Sequence, residues 1–172
     1  MFAVTSTAGA SKADTYRELA SQLAALLAEE TNALANSANT AALIHHGLPG
    51  LNWAGFYFLH GRELVLGPFQ GKVACVRIAI GRGVCGTAAQ RRETMVVPDV
   101  AKFPGHIACD SASRSEIVVP LLQAGKLYGV LDVDSPSLAR FDNDDAAGLE
   151  TLAAIFLRSS SLTSLAGIGA AV

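Results

Sequence analysis

Hydrophobic residues recur at helical spacing in two stretches of the chain, one near each end. The first stretch predicts an amphipathic helix over residues 12–34, which begins after Ser11 as its N-cap. A short second helix is predicted over residues 40–46, and a last helix from about residue 143. The chain is therefore expected to open and close with helices.

Between residues 51 and 134 the pattern changes to short apolar or alternating runs separated by Gly and Pro, which is typical of strands. Six such runs cover residues 53–59, 63–67, 74–80, 94–97, 117–122 and 127–134. A Gly/Ala-rich segment, residues 83–90, predicts a short helix. This order indicates an α+β domain with a mainly antiparallel, about six-stranded sheet and its N- and C-terminal helices packed on one face. We expect one domain over residues 1–172, with residues 1–10 and about 160–172 frayed.

Two carboxylates share one face of the last predicted strand. Alternation places Asp132 and Asp134 on that face, where like charge raises the pKa of one of them. Glu116 begins the preceding strand. A two-residue hairpin turn sets Glu116 opposite Val133, whereas a three-residue turn or a bulge sets it opposite Asp134. The sequence leaves both registers open, and solvated carboxylates at a strand end are the alternative to a functional group.

An aromatic pair marks the first predicted strand. Trp53 and Tyr57 fall on the same face, and Gly55 between them leaves room for a ligand. Such a pair is able to wall an apolar pocket. Spacing alone leaves ordinary packing open as the alternative.

The three cysteines have different surroundings. An odd number excludes a fully paired disulfide framework, and the spacings of Cys75, Cys85 and Cys109 fit no zinc knuckle, so we predict no metal site. Cys75 alternates onto the face of its predicted strand that points away from the helix-packed core, toward a ligand side.

Cys109 is the most informative of the three. It lies in the polar segment FPGHIACDSASRSE, directly before an apolar run, whereas a thiol packed for bulk would sit inside such a run. His106 and Arg114 nearby would favour the reactive thiolate. We therefore predict that a loop delivers this cysteine to a ligand. A cysteine that merely falls in a loop is the alternative.

Composition narrows the function classes. The 172 residues are 51% hydrophobic and carry a net charge of −2, with no run of Lys or Arg. This argues against a disordered chain and gives no electrostatic reason to bind nucleic acid or an anionic membrane. The first residues lack the pattern of a secretory signal, and no apolar run reaches transmembrane length. We therefore expect a soluble, cytoplasmic protein.

Five segments together resemble one enzyme family. NWAGFYF, LVLGPFQGKVACVRI, GRGVCGTAA, FPGHIACDSASRSEIVVPL and GVLDVDSP are similar to the free methionine-(R)-sulfoxide reductases, which are built on a single GAF domain. The likeness runs over residues 52–156. It implies a GAF-like fold, free L-methionine (R)-sulfoxide as substrate and no bound cofactor. It also implies recycling by an external dithiol reductant, thioredoxin, and is compatible with a homodimer.

The resemblance also implies roles for individual residues. Cys109 corresponds to the nucleophile and Cys75 to the cysteine that resolves it by forming a disulfide, with Cys85 as an alternative resolving or recycling thiol. The carboxylates correspond to the groups that bind the substrate's amino group and sulfoxide oxygen, and Glu116 and Asp134 to catalytic groups among them. The aromatic residues correspond to the walls that receive the methyl group. These binding residues are Trp53, Tyr57, Glu116, Asp132 and Asp134.

Two other functions compete with the reductase. One is a ligand-sensing GAF module that does no chemistry, although such modules regulate an attached output domain and do not need three cysteines in this arrangement. The other is a thiol peroxidase or peroxide sensor, which would use Cys109 and Cys75 without the acidic residues.

Overall fold

The computed structural model describes residues 11–107 and 110–163. In chain order the elements are α1 (Lys12–Leu26), α2 (Ala33–Gly47), β1 (Trp53–His60), β2 (Glu63–Gly71), β3 (Arg77–Ala79), α3 (Gly83–Arg91), β4 (Met95–Val97), a 3₁₀ turn (Val100–Lys102), β5 (Ser115–Gln123), β6 (Lys126–Ser135) and α4 (Asn143–Ser159). The predicted α+β class is confirmed.

The strands form one sheet in the order β3-β2-β1-β6-β5-β4. Every neighbouring pair is antiparallel, as the hairpin-like spacing predicted. Strands β1 and β6 lie at the centre and pair along most of their length, so residues from both ends of the strand-rich region meet there.

Each face of the sheet carries its own apolar cluster, because side chains alternate along the strands. Phe56, Ile117 and Val133 face a large core that is completed by α1, α2 and α4, which agrees with the predicted packing of the terminal helices. Val118 and Val130 point to the opposite face, where α3 covers a smaller cluster. The second face therefore has both apolar cover and room for a site beside α3.

The boundary between the first two helices differs from the prediction. α1 ends at Leu26, and α2 begins at Ala33 because the Asn32 side chain accepts hydrogen bonds from the Leu34 and Ala35 N–H groups. Leu34, predicted on the buried face of the first helix, is 51% exposed. Apolar spacing continues across the break, so the cap and not the periodicity sets the boundary.

The predicted strand over residues 74–80 is wrong in extent and in facing. Only Arg77–Ala79 form β3, since this edge strand pairs with β2 at just three positions. Alternation would place Ile78 and Val76 opposite Cys75, in the helix-packed core, but Ile78 belongs to the cluster on the α3 face and Val76 is exposed. Cys75 is half-buried against that same α3-side cluster. It therefore lies on the predicted side, but strand alternation is not the reason.

Residues that follow α4 make contacts with the rest of the fold. The Ser161 N–H donates to the Thr31 carbonyl at 2.7 Å, and Leu162 is buried in the main core. The first residues of the stretch predicted to fray therefore contact the rest of the fold at Ser161 and Leu162. The frayed ends predicted over residues 1–10 and 164–172 lie outside the described residues. No helix in the described ranges is long and apolar enough to cross a bilayer.

Candidate active site

The β5–β6 hairpin settles the register that the sequence left open. Its turn is the two-residue Ala124-Gly125, with positive φ at both positions, but the ladder then shifts by one residue between Leu121 and Leu122. Glu116 therefore lies opposite Asp134. A turn of this length without the bulge would have set it opposite Val133, on the other face.

A glycine lies next to the bulge. Gly129 of β6 lies so close to the neighbouring strand β1 that a Cβ there would clash with the backbone carbonyl of Tyr57. Only glycine, which has no side chain, fits where these two strands approach so closely. Gly129 pairs with Leu121, directly beside the register shift, so the bulge adjoins this close contact between β6 and β1.

Three carboxyl groups converge on the α3 face of the sheet. Glu116 and Asp132 are each 6% exposed, Asp134 is partly buried, and all three line one cavity. The same cavity is lined by Trp53 and Tyr57. The acidic residues and the aromatic pair therefore line the same cavity, as the family resemblance implied.

Burial changes the protonation of these acids. Desolvation raises the pKa of Glu116 well above 4.5, and the neighbouring charges of Asp132 and Asp134 raise it further. Asp134 has a raised pKa for the same two reasons, burial first. Burial also raises the pKa of Asp132, to about 7, although hydrogen bonds from Cys85 and Glu116 favour its charged form. Burial therefore favours the protonated forms of Glu116 and Asp134, and Asp132 ionises most readily of the three.

One oxygen of this cluster has no partner. Asp132 Oδ1 is buried and accepts no hydrogen bond from the described residues. A buried carboxylate oxygen without a donor is costly, so it is a site where a donor or cation from a ligand would be favoured.

The aromatic pair forms one wall of the cavity. The Trp53 and Tyr57 rings stack with centroids 5.9 Å apart, and the indole also stacks on Phe69 at 5.4 Å. Trp53 Nε1 donates to the Lys72 carbonyl at 3.1 Å, which fixes the ring. A Cβ at Gly55 would lie 2.6 Å from the indole, so glycine is needed for the ring to lie there. The pair both packs and lines the cavity.

The structure describes two of the three cysteines, and these two lie in different surroundings. Cys85, on α3, is a buried free thiol whose Sγ lies 3.8 Å from Glu116 Oε1. Burial, with the charges of the nearby acids, raises the pKa of this thiol well above 9.0, so it is protonated. Cys75 does not line the cavity but packs on the same cluster. The predicted nucleophile, Cys109, lies outside the described residues.

The segment that follows Cys109 is tied to the ends of β1 and β2. Asp110 accepts hydrogen bonds from the Ala112 N–H at 2.9 Å, from Asn52 Nδ2 at 3.2 Å and from Lys72 Nζ at 3.3 Å. Asn52 Nδ2 also donates to Ser113 Oγ at 2.9 Å. These contacts fix the polar segment beside the cavity.

Sequence reasoning missed some of these residues and misjudged another. Nothing in the pattern marked Asn52 or Lys72; the one signal was that Asn52 directly precedes the aromatic strand. Arg82, a cation that lines the cavity, was also missed. His106 was expected to favour a thiolate by its charge. Burial instead lowers the pKa of its imidazole, which favours the neutral ring, 3.8 Å from Glu116 Oε2.

Comparison with known proteins assigns the family. The sequence profile of the GAF domain matches residues 16–156. A protein of Escherichia coli (strain K12) named free methionine-R-sulfoxide reductase is 53% identical over 143 residues, covering 83% of this chain and 87% of that protein. The chain belongs to the free methionine-R-sulfoxide reductase family of GAF-domain enzymes.

Two further family members support the assignment. The free methionine-R-sulfoxide reductase of Saccharomyces cerevisiae is 49% identical over 138 residues, covering 76% of this chain and 77% of that protein. The crystallised family member from Neisseria meningitidis, in complex with its substrate, has a TM-score of 0.89 at 48% identity. It covers 96% of this chain and 99% of its own. The chain thus matches between 77% and 99% of the length of these three relatives.

Proposed function

We propose that this protein reduces free L-methionine (R)-sulfoxide to methionine. The observation that carries the proposal is the meeting of Glu116, Asp132 and Asp134 in one cavity with the stacked Trp53 and Tyr57. The aromatic wall suits the S-methyl group. A protonated carboxyl suits the sulfoxide oxygen, and ionised Asp132 suits the substrate's ammonium. The names of the relatives point to the same substrate.

The reduction needs a proton where the S–O bond breaks. The thiolate of Cys109 attacks the sulfoxide sulfur, and the oxygen, protonated as it leaves, transfers to the Cys109 sulfur. Methionine is released with sulfur reduced by two electrons, and Cys109 is oxidised to the sulfenic acid. Glu116 is the acid we assign to proton delivery, with Asp134 as its neighbour, because burial keeps its carboxyl protonated near neutral pH.

A second thiol closes the catalytic cycle. We assign this step to Cys75, whose thiol attacks the sulfenic acid to give a disulfide and water. A dithiol reductant of the thioredoxin class then restores both thiols and is itself oxidised. Cys85 is the less favoured resolving thiol, because its raised pKa leaves little thiolate for attack. Such a cycle requires a reducing compartment, so we expect the protein in the cytoplasm.

The carboxyl cluster also favours a free amino acid over a peptide. The α-ammonium of free methionine sulfoxide is a cation, whereas the corresponding nitrogen in a peptide is a neutral amide. An ammonium would satisfy the buried Asp132 Oδ1, which has no hydrogen-bond partner among the described residues. We therefore expect N-acetylmethionine sulfoxide to be a poor substrate.

The test compares substrates and one variant. Reduced protein is incubated with free methionine (R)-sulfoxide, the (S) epimer, N-acetylmethionine (R)-sulfoxide or hydrogen peroxide, with dithiothreitol as reductant. We expect methionine from the free (R) epimer alone, and none from Cys109→Ser. No turnover of either epimer by the wild type would favour a sensing module. Peroxide reduction in its place would favour a thiol peroxidase, and full turnover by Cys109→Ser would remove Cys109 as nucleophile.

A further inference from the structure

A buried thiol and two buried carboxyls meet within the site. The donor atoms of Cys85, Glu116 and Asp132 all lie within 4.8 Å of one another. Around a tetrahedral Zn²⁺, thiolate and carboxylate ligands at their usual bond lengths are about 3.5 Å apart. Side-chain shifts of about 1 Å would therefore bring these three atoms to metal-binding distances.

Two features distinguish this group from an ordinary acidic cluster. Asp132 Oδ1 is buried and receives no hydrogen bond from the described residues. Because Asp132 lines the cavity, this oxygen is available to bind a group that enters there. Cys85, in addition, has no part in the proton transfer assigned to the carboxyls. An ammonium group could satisfy the free oxygen, but it would gain nothing from a thiol.

We propose that Cys85, Glu116 and Asp132 bind a thiophilic divalent cation of the Zn²⁺ class in the reduced protein, and that the bound cation blocks the cavity. Binding displaces the protons held by the thiol and the carboxyls, and no electrons move. Only the inhibition, and not the binding, rests on the proposed reductase function.

The donor set fixes the chemistry of the cation. One sulfur and two carboxylates suit Zn²⁺, Cd²⁺ or Co²⁺, whereas Mg²⁺ and Ca²⁺ require six or more oxygen ligands. Water can fill the fourth position, as can His106, whose Nε2 lies 3.8 Å from Glu116 Oε2. A single cysteine joined by two acids lacks the spacing of a zinc knuckle, so the prediction of no metal site did not extend to this group.

The test follows metal binding by absorption, independently of activity. In Cys75→Ser/Cys109→Ser the remaining cysteine is Cys85, so a thiolate-to-cobalt charge-transfer band reports this site alone. We expect the band to saturate at one equivalent of Co²⁺, to be displaced by Zn²⁺ and to persist in excess Mg²⁺. Adding Asp132→Asn or Glu116→Gln should weaken Co²⁺ binding at least about tenfold. The surface variant Glu63→Gln should bind unchanged.

Two results would overturn the proposal. One is the absence of a saturable cobalt band, and the other is a Co²⁺ affinity that neither Asp132→Asn nor Glu116→Gln changes. Both carboxylate variants are tested because either one decides the question if it folds, and circular dichroism checks the folding. In wild-type protein, Zn²⁺ should slow single-turnover methionine formation and EDTA should restore it. A cobalt band in the cysteine variant, together with wild-type protein that forms no methionine, would overturn the reductase function alone. Active wild-type protein whose cysteine variant shows no band would overturn the metal site alone.

Discussion

Glu116 lies directly opposite Asp134 across the β5–β6 hairpin. The two carboxyls share the cavity face only because one extra residue of β6, Tyr128, bulges opposite the step from Leu121 to Leu122 of β5. Without that shift Glu116 would pair with Val133 and point into the helix-packed core. The chemistry of the site therefore depends on a backbone irregularity near the hairpin turn.

Gly129→Ala should disrupt this register. A Cβ at this position would clash with the Tyr57 carbonyl of the central strand β1. We expect the free energy of unfolding in urea to fall by more than about 2 kcal/mol, with loss of methionine formation. Gly61→Ala, with φ +63 and open space around it, is the control and should cost about 1 kcal/mol. Equal costs for both variants would argue against a packing role for Gly129.

The alternation of side chains predicted which residues share a face of the sheet. It did not predict the register or the contacts between neighbouring strands. It placed Asp132 with Asp134, and Trp53 with Tyr57, correctly, since both pairs lie where β1 and β6 pair with each other without a register shift. It failed at Ile78 and Val76, because β3 is a three-residue edge strand whose flanks do not alternate.

Tertiary contacts were beyond the sequence pattern. Beside the bulge, Gly129 of β6 lies against the backbone of β1, and the anchoring of Asp110 by Asn52 joins residues 58 positions apart. No local periodicity encodes either feature. The family resemblance supplied the residue roles, whereas the register and the anchor required coordinates.

Asp132→Asn should stabilise the protein at high pH. Burial raises the pKa of Asp132 from 3.8 to about 7, so the native state binds this proton more tightly than the unfolded chain. The stability it contributes is present below about pH 4 and is lost as the pH rises to about 7. Relative to wild type, the variant should gain roughly 1–4 kcal/mol at pH 8 and much less at pH 4.

Urea unfolding of both proteins at the two pH values measures this difference. The exposed Glu29→Gln is the control and should show the same difference from wild type at both values. An Asp132→Asn variant that is destabilised more at pH 8 than at pH 4 would show that the carboxyl ionises more easily in the folded protein.

Asp110→Ala should loosen the segment next to Cys109. The change removes the acceptor for three donors, Ala112 N–H, Asn52 Nδ2 and Lys72 Nζ. We expect faster cleavage within residues 110–114 in limited proteolysis, together with a lower kcat. Asp99→Ala, which removes a similar turn-capping contact to the Ala101 N–H, is the matched control. Indistinguishable cleavage rates within 110–114 would remove Asp110 as an anchor.

Cys75→Ser should separate the chemical step from recycling. We expect one equivalent of methionine per protein, then poor turnover with thioredoxin, because no thiol resolves the sulfenic acid efficiently. A small thiol should still support turnover, since it can attack the sulfenic acid directly. The parallel variant Cys85→Ser should keep thioredoxin-driven cycling. If Cys75→Ser cycles normally with thioredoxin and Cys85→Ser does not, the resolving role belongs to Cys85.

The central claim is that a buried acid holds a proton at the site near neutral pH. The direct measurement is a titration of the Glu116 side-chain carboxyl by ¹³C NMR in the reduced protein, with Glu116→Gln used to assign its resonance. We expect a midpoint well above the ordinary 4.5 and a protonated carboxyl at pH 7, because the side chain is desolvated beside two other acids. A carboxyl that titrates near 4.5 and is ionised at pH 7 would contradict the account.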